Sequence, residues 1–235
     1  MQAMQNNANE PMPDAQPHAA AGAVPTAEAQ QKQHAPRQAR EVNPVLQKLF
    51  ELHPQLFGAR FLPLKLGIFH DLLARHPDVF KKDDLKIAMG LHARSTRYLE
   101  CVAAGLARHD LDGAAVEPVA PEHVHHAILE VFRRRQARSK DDLRPRLTML
   151  LKQAIENSGL ALSDYAALVR GQDEATNALL DDAMAELKAE AAKRDALMVT
   201  FTASGKNQQE FADMYGMDLE LVSSVLARVR AEQVE

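Results

Sequence analysis

The chain has 235 residues, 46% of them hydrophobic and 5% aromatic, with a net charge of −4. That is enough apolar material for one sizeable core or two small ones, and the scarcity of aromatic side chains favours helices over a β-sandwich. No window of about 18 apolar residues occurs, and the start, M-Q-A-M-Q-N-N-A-N-E, lacks the cationic patch and apolar run of a secretory signal, so neither a membrane span nor export is expected and the expected localisation is cytoplasmic.

Residues 1–42 are rich in Ala, Gln, Pro and Asn and lack aromatic side chains, a composition expected to form a disordered tail. Order is expected to begin at Asn43-Pro44, an Asn cap with Pro at the first helical position, opening a one-faced helix with apolar residues at 45, 46, 49, 50 and 52. A loop through Phe57-Gly58 leads to a second helix over 64–75, ended by His76-Pro77. A third helix starts at Asp83 and Asp84 and carries Leu85, Ala88, Met89 and Leu91 on one side. Ser95 caps a fourth, which stops at Gly105. Residues 108–111 and 115–119 flank Asp112-Gly113, a hairpin turn pair, and Pro121 opens the next helix, which ends in R-R-R-Q-A-R. Further helices are expected over 146–157, 162–170, 174–198 and 208–229. The expected fold is mainly α: a helical domain with a small β-hairpin over 43–138, then a helical region over 139–235.

Charge is divided unevenly. Residues 43–138 hold 14 Lys and Arg against 11 Asp and Glu, whereas 139–235 hold 11 against 17, the asymmetry expected when one segment meets phosphate and the other does not. The stretch Arg94 to Gly113, R-S-T-R-Y-L-E-C-V-A-A-G-L-A-R-H-D-L-D-G, is the most informative part of the basic segment. Ser95 and Thr96 supply hydroxyls at a helix start whose free N–H groups suit an anion, and Arg94, Arg97 and Arg108 add positive charge nearby. Tyr98 adds a flat ring with a hydrogen-bonding end.

Together with P-L-K-L-G-I-F-H-D-L-L from Pro63 to Leu73 and P-E-H-V-H-H-A from Pro121 to Ala127, this stretch resembles the ProQ/FinO family of bacterial RNA chaperones, over about residues 43–138. The resemblance implies a FinO-type domain that grips the lower stem of a terminator-type hairpin and its single-stranded 3′ tail. It also implies partners among small RNAs and mRNA 3′ ends, which the protein would protect and help to pair. On the matching positions it assigns RNA contacts to Lys65, Lys86, Arg97, Tyr98 and Arg108, with Lys65 and Lys86 along the stem and Leu99 supporting the pocket. Arg94, Ser95 and Thr96 complete the expected set. Gly90 and His92 stand where family members commonly carry Arg and an aromatic residue, which removes part of the cationic face.

Each assignment has a structural alternative. Tyr98 and Leu99 also fit a core, Lys65 and Lys86 also fit a solvated surface, Arg108 also fits a pairing with Asp110 or Asp112, and Arg133 to Arg135, an electrostatic supplement to RNA contact on one reading, fit a solvated helix end on the other. His123, His125 and His126 are not completed by further ligands to a metal site. Asp110-x-Asp112-Gly113 lacks the later ligands of a calcium loop, and Ser204-Gly205-Lys206 lacks the first glycine of a phosphate loop. No nucleophile–base set is visible, so no enzyme, cofactor or metal is expected, and Cys101 reads as a buried structural thiol.

Residues 208–229 carry a second signal. Ala212, Gly216 and Val222 have the spacing of a helix-turn-helix, which would make the chain a DNA-binding regulator. The would-be reading helix begins Asp218-Leu219-Glu220, acids that repel phosphate, so a helical hairpin serving a protein partner is the other reading of the C-terminal region.

Overall fold

The computed structural model describes residues 43–232, so the expected disordered tail over 1–42 lies outside the described residues. Asn43 opens the first helix, α1 (Pro44–Leu52), its side chain accepting from the N–H groups of Val45 (2.9 Å) and Leu46 (3.3 Å). A four-residue helix, α2 (Pro54–Phe57), follows where a loop was expected, too short to leave a periodic signal. The next helix, α3 (Ile68–Arg75), starts later than expected because residues just before it pair with a strand. After His76-Pro77 comes α4 (Lys82–Ala93), which buries Leu85, Ala88 and His92. Leu91 remains 46% exposed, one position off the buried stripe that the third helix was expected to place it on. The helix α5 (Thr96–Ala103) ends before Gly105, whose φ of 68° an L side chain would resist.

Strands β1 (Arg108–His109) and β2 (Ala115–Glu117) pair antiparallel across the Asp112-Gly113 turn, with an irregularity in register between Arg108 and His109. The long helix α6 (Pro121–Gln136) then packs heavily on α5. Five more helices follow among the described residues: α7 (Arg144–Asn157), α8 (Leu162–Val169), α9 (Glu174–Ser204), α10 (Gln208–Tyr215) and α11 (Leu219–Glu232).

Leu49, Leu56, Leu72 and Leu85, all 0% exposed, knit α1 to α4 into one apolar cluster that also takes Leu64 and Leu111. Each such side chain contributes about 1.5–3 kcal/mol through its burial. Ile128 and Leu129 of α6 pack with Leu147 and Leu151 of α7 and Ala183 of α9. Phe211, Ala212, Val222 and Leu226 form a separate cluster with Leu197, Met198 and Phe201 from the end of α9. No described helix is long and apolar enough to cross a membrane.

Candidate nucleic-acid interface

The chain just before α3 supplies the anchor. Leu64 forms an isolated parallel bridge to His109; the His109 N–H donates to the Pro63 carbonyl (2.7 Å) and the Lys65 N–H to the His109 carbonyl (2.9 Å). Two side chains close on the same residue. The Tyr98 hydroxyl accepts from the Leu64 N–H (3.1 Å), and Arg108 Nη1 donates to the Leu64 carbonyl (2.9 Å).

Tyr98 is half-buried, its ring packed on the clusters of both α1–α4 and α5–α6. Burial raises its pKa, so the phenol stays protonated at neutral pH. With its oxygen already accepting from Leu64, the remaining polar capacity of the ring is an O–H donor, suited to a phosphate or sugar oxygen. Arg108 does not pair with Asp110 or Asp112. Its Nη2 lies 3.2 Å from His123 Nδ1, and because a guanidinium only donates, that ring nitrogen is the acceptor of the bond. Asp112 takes a two-pronged bond from Arg75 (2.6 and 3.0 Å), and Asp110 folds back on the N–H groups of Asp112 and Ala114.

A second group gathers where α4 meets α5. Ser95 is extended (φ −68°, ψ 145°) and its Oγ accepts from the Tyr98 N–H (3.2 Å), which leaves the N–H groups of Thr96 and Arg97 without an acceptor inside the helix. Arg134, on α6, donates from Nη1 to the Arg94 carbonyl (2.8 Å) and to Thr96 Oγ1 (3.2 Å). The Arg94 guanidinium lies over Gly90, with Nη2 3.3 Å from where a Cβ on that glycine would stand. Gly90 therefore makes room for a cation delivered from a neighbouring position.

Not all the expected residues join these groups. Arg97 turns back to donate to the Ala59 carbonyl and lies 4.6 Å from the centre of the Phe61 ring. Lys65 follows Leu64 but its amine is bonded to Asp71 (2.9 Å), first a hydrogen bond and then a charge attraction that raise its pKa. The pair lines a polar depression of about 460 Å³ together with Arg75, Asp110 and Asp112. Lys86 is exposed on α4 and has no ion pair among the described residues. Leu99 is partly buried beside Cys101 and Val102. His92 is a core residue: it is 4% exposed among Phe57, Phe61 and Tyr98, with ring centres 4.5 to 5.0 Å away, and burial lowers its pKa to about 4. Burial also pushes the Cys101 thiol up to about 12, the state of an inert structural cysteine.

The basic end of α6 is engaged rather than free. Arg133 reaches Glu130 (3.4 Å) and Asp173 (3.7 Å), Arg134 Nε holds Glu130 (2.9 Å), and Arg135 holds Glu100 (2.7 Å). Sequence reasoning missed Arg134 and His123 as partners of the site. The four-residue spacing of Glu130 and Arg134 carried a signal for their ion pair, but nothing in the sequence identified the other end of that arginine. His125 is 3% exposed and lies 3.2 Å from the Tyr165 hydroxyl, so it belongs to the core.

At the far end, α10 and α11 form a hairpin with Ala212 (1% exposed) at the crossing, Gly216 at φ 63° in the turn, and Val222 (0%) beneath α11. Asp218 accepts from the N–H groups of Glu220 (2.8 Å) and Leu221 (3.1 Å), so its carboxylate occupies the start of α11.

A family model described as ProQ/FINO family matches residues 39–144. The chain is 43% identical over 91 residues to a protein of Shewanella pealeana called RNA chaperone ProQ, a match covering 37% of this chain and 43% of that one. It is 41% identical over 87 residues to the protein of the same name from Idiomarina loihiensis, covering 35% and 42%. The chain thus spans less than half the length of these curated relatives. A crystal structure of a FinO-like RNA chaperone from Neisseria meningitidis aligns with 30% identity and a TM-score of 0.33, over 36% of this chain and 86% of that one.

Proposed function

We propose, from the match of residues 39–144 to the ProQ/FINO family, that the chain is an RNA chaperone whose central domain binds a terminator-type hairpin with a single-stranded 3′ tail. It would act on structured small RNAs and mRNA 3′ ends, protect them and promote pairing between complementary strands, without a catalytic step. The observation that carries this reading is the convergence of Tyr98 and Arg108 on Leu64, close in sequence to the open helix start at Ser95 and Thr96. A phenol O–H, a guanidinium fork and uncapped amides form a set that binds phosphate and sugar oxygens without reading bases, as recognition of an RNA end requires. Lys65, Lys86, Arg94 and Arg97 supply charge along the strand. Residues 43–138 act as the RNA-binding domain, and the helices over 139–235 present a surface to a protein partner.

The test is direct. A hairpin RNA with a U-rich 3′ tail is expected to bind more tightly than the same hairpin with the tail removed or its terminal hydroxyls blocked. Equal affinity for the three would remove the site assignment.

A second reading has its own observation, the helix-turn-helix packing of Ala212, Gly216 and Val222. The acids at the start of α11 oppose phosphate there, so unlabelled duplex DNA is expected to compete poorly for the RNA. Competition as effective as that of the RNA itself would favour a DNA-binding regulator.

A further inference from the structure

We propose that Arg134 is a positioning residue of the phosphate-binding corner, fixing the Thr96 hydroxyl as a hydrogen-bond donor; the inference rests on the RNA reading above. From α6, Arg134 Nη1 reaches both the Arg94 carbonyl (2.8 Å) and Thr96 Oγ1 (3.2 Å), while its Nε is held by Glu130 (2.9 Å) one turn back on the same helix. A hydroxyl oxygen that accepts from a guanidinium N–H must turn its own proton elsewhere. The Thr96 proton is thereby kept for an acceptor, which matches a phosphate oxygen and discriminates against a donor such as an ammonium.

The other bond falls on the last turn of α4, where carbonyls lack helical partners and a cation is favoured. The two bonds together tie the end of α4 to the start of α5. Between them lies Ser95, whose Oγ caps the Tyr98 N–H, so Arg134 fixes the approach of the residues that present the open amides. Glu130 neutralises the guanidinium and the side chain is only 29% exposed, which suits a splint more than a contact. Its neighbours do not replace it: Arg133 shares Glu130 but extends to Asp173, and Arg135 holds Glu100.

The experiment uses the full chain and a hairpin RNA with a U-rich 3′ tail, with affinity measured across a salt series. Arg134→Gln is expected to weaken binding about five- to tenfold in the native background, as one lost hydrogen-bonded orientation would, and by no more than about twofold in a Thr96→Val background. The slope of log affinity against log salt is expected to be unchanged, because Arg134 touches no phosphate. Arg134→Lys keeps the charge but not the fork and is expected to match Arg134→Gln; should Arg134→Gln lower the melting temperature, it carries the same comparison. Equal losses in both backgrounds, no loss at all, recovery by Lys, or a shallower salt slope would each overturn the proposal. Failure of the unaltered chain to bind the RNA overturns the RNA reading itself, and is seen before any substitution is made.

Discussion

His53 and His76 meet through their Nε2 atoms, which lie 3.0 Å apart, while His53 Nδ1 lies 3.2 Å from the Leu111 carbonyl. Since His53 must donate from Nδ1 to that carbonyl, its Nε2 is the acceptor and His76 the donor. The bond ties the end of α1 and the end of α3 to the turn of the hairpin.

A pH dependence of stability follows. Burial lowers the pKa of His53, and lowers those of His92 and His125 to about 4, from a starting value of 6.5. With folded pKa values below the unfolded one, the unfolded chain binds more protons, so stability is complete above about pH 6.5 and is lost as pH falls toward 4. The melting temperature is expected to drop between pH 7 and pH 5, with a shallower drop in His92→Phe. Parallel curves for the two proteins would show that the buried imidazole does not carry the effect.

Tyr98 and Arg108 support both fold and site, and their substitutions separate the roles. Tyr98→Phe keeps the ring but deprives the Leu64 N–H of its acceptor, at about 1 kcal/mol of stability by denaturant titration. Tyr98→Ala and Arg108→Ala are each expected to weaken binding of a tailed hairpin by at least ~1 kcal/mol, and Arg108→Ala to reduce the salt slope by about one charge. Unchanged binding in both alanine variants would contradict the proposed interface.

Two glycines test the backbone. A Cβ on Gly58 would run into the Pro54 carbonyl, which the rigid helix start cannot yield. A Cβ on Gly216 meets nothing within 4 Å, but φ of 63° strains any L residue. Gly216→Ala is expected to cost about 1 kcal/mol and Gly58→Ala clearly more, as read from urea midpoints.

Leu151→Ala probes the contact between α6 and α7. The side chain is 0% exposed against Ile128, Leu129 and Ala183, and its truncation is expected to cost about 2–5 kcal/mol with the cavity it leaves. A loss below about 1 kcal/mol by calorimetry would mean that the cluster collapses around the gap.

Features encoded by a few neighbouring residues were legible in the sequence. The Asn43-Pro44 start, the Ser95 cap, the turn at Gly113 and the bend at Gly216 each have a local cause, and each occurs where expected. The start of α3 was misjudged because Leu64 pairs with His109, a contact that no local pattern encodes, and β1 stops at His109 where Asp110 turns back on the N–H groups of Asp112 and Ala114. The apolar side of α4 was set one residue off because His92, polar by type, is buried among aromatic rings, while Leu91 remains open. In the candidate interface, the residue types could be read from the sequence but their bonds could not. Arg108 had nearby acids to choose from and took a carbonyl 44 positions away, a choice made by the packing of the hairpin on the chain before α3.

One continuous helix feeds two cores. The first part of α9 buries Leu180, Ala183, Met184 and Leu187 beside α7 and α8, and its last turns supply Leu197, Met198 and Phe201 to the hairpin of α10 and α11. At about 1.5 Å per residue, the ten residues from Leu187 to Leu197 put roughly 15 Å of helix between the two cores, and Arg228 of α11 reaches back to Glu156 of α7 (2.6 Å). Anything held by the terminal hairpin is therefore kept close beside the core that α9 shares with α6 and α7, and moving it requires bending α9 and parting Arg228 from Glu156.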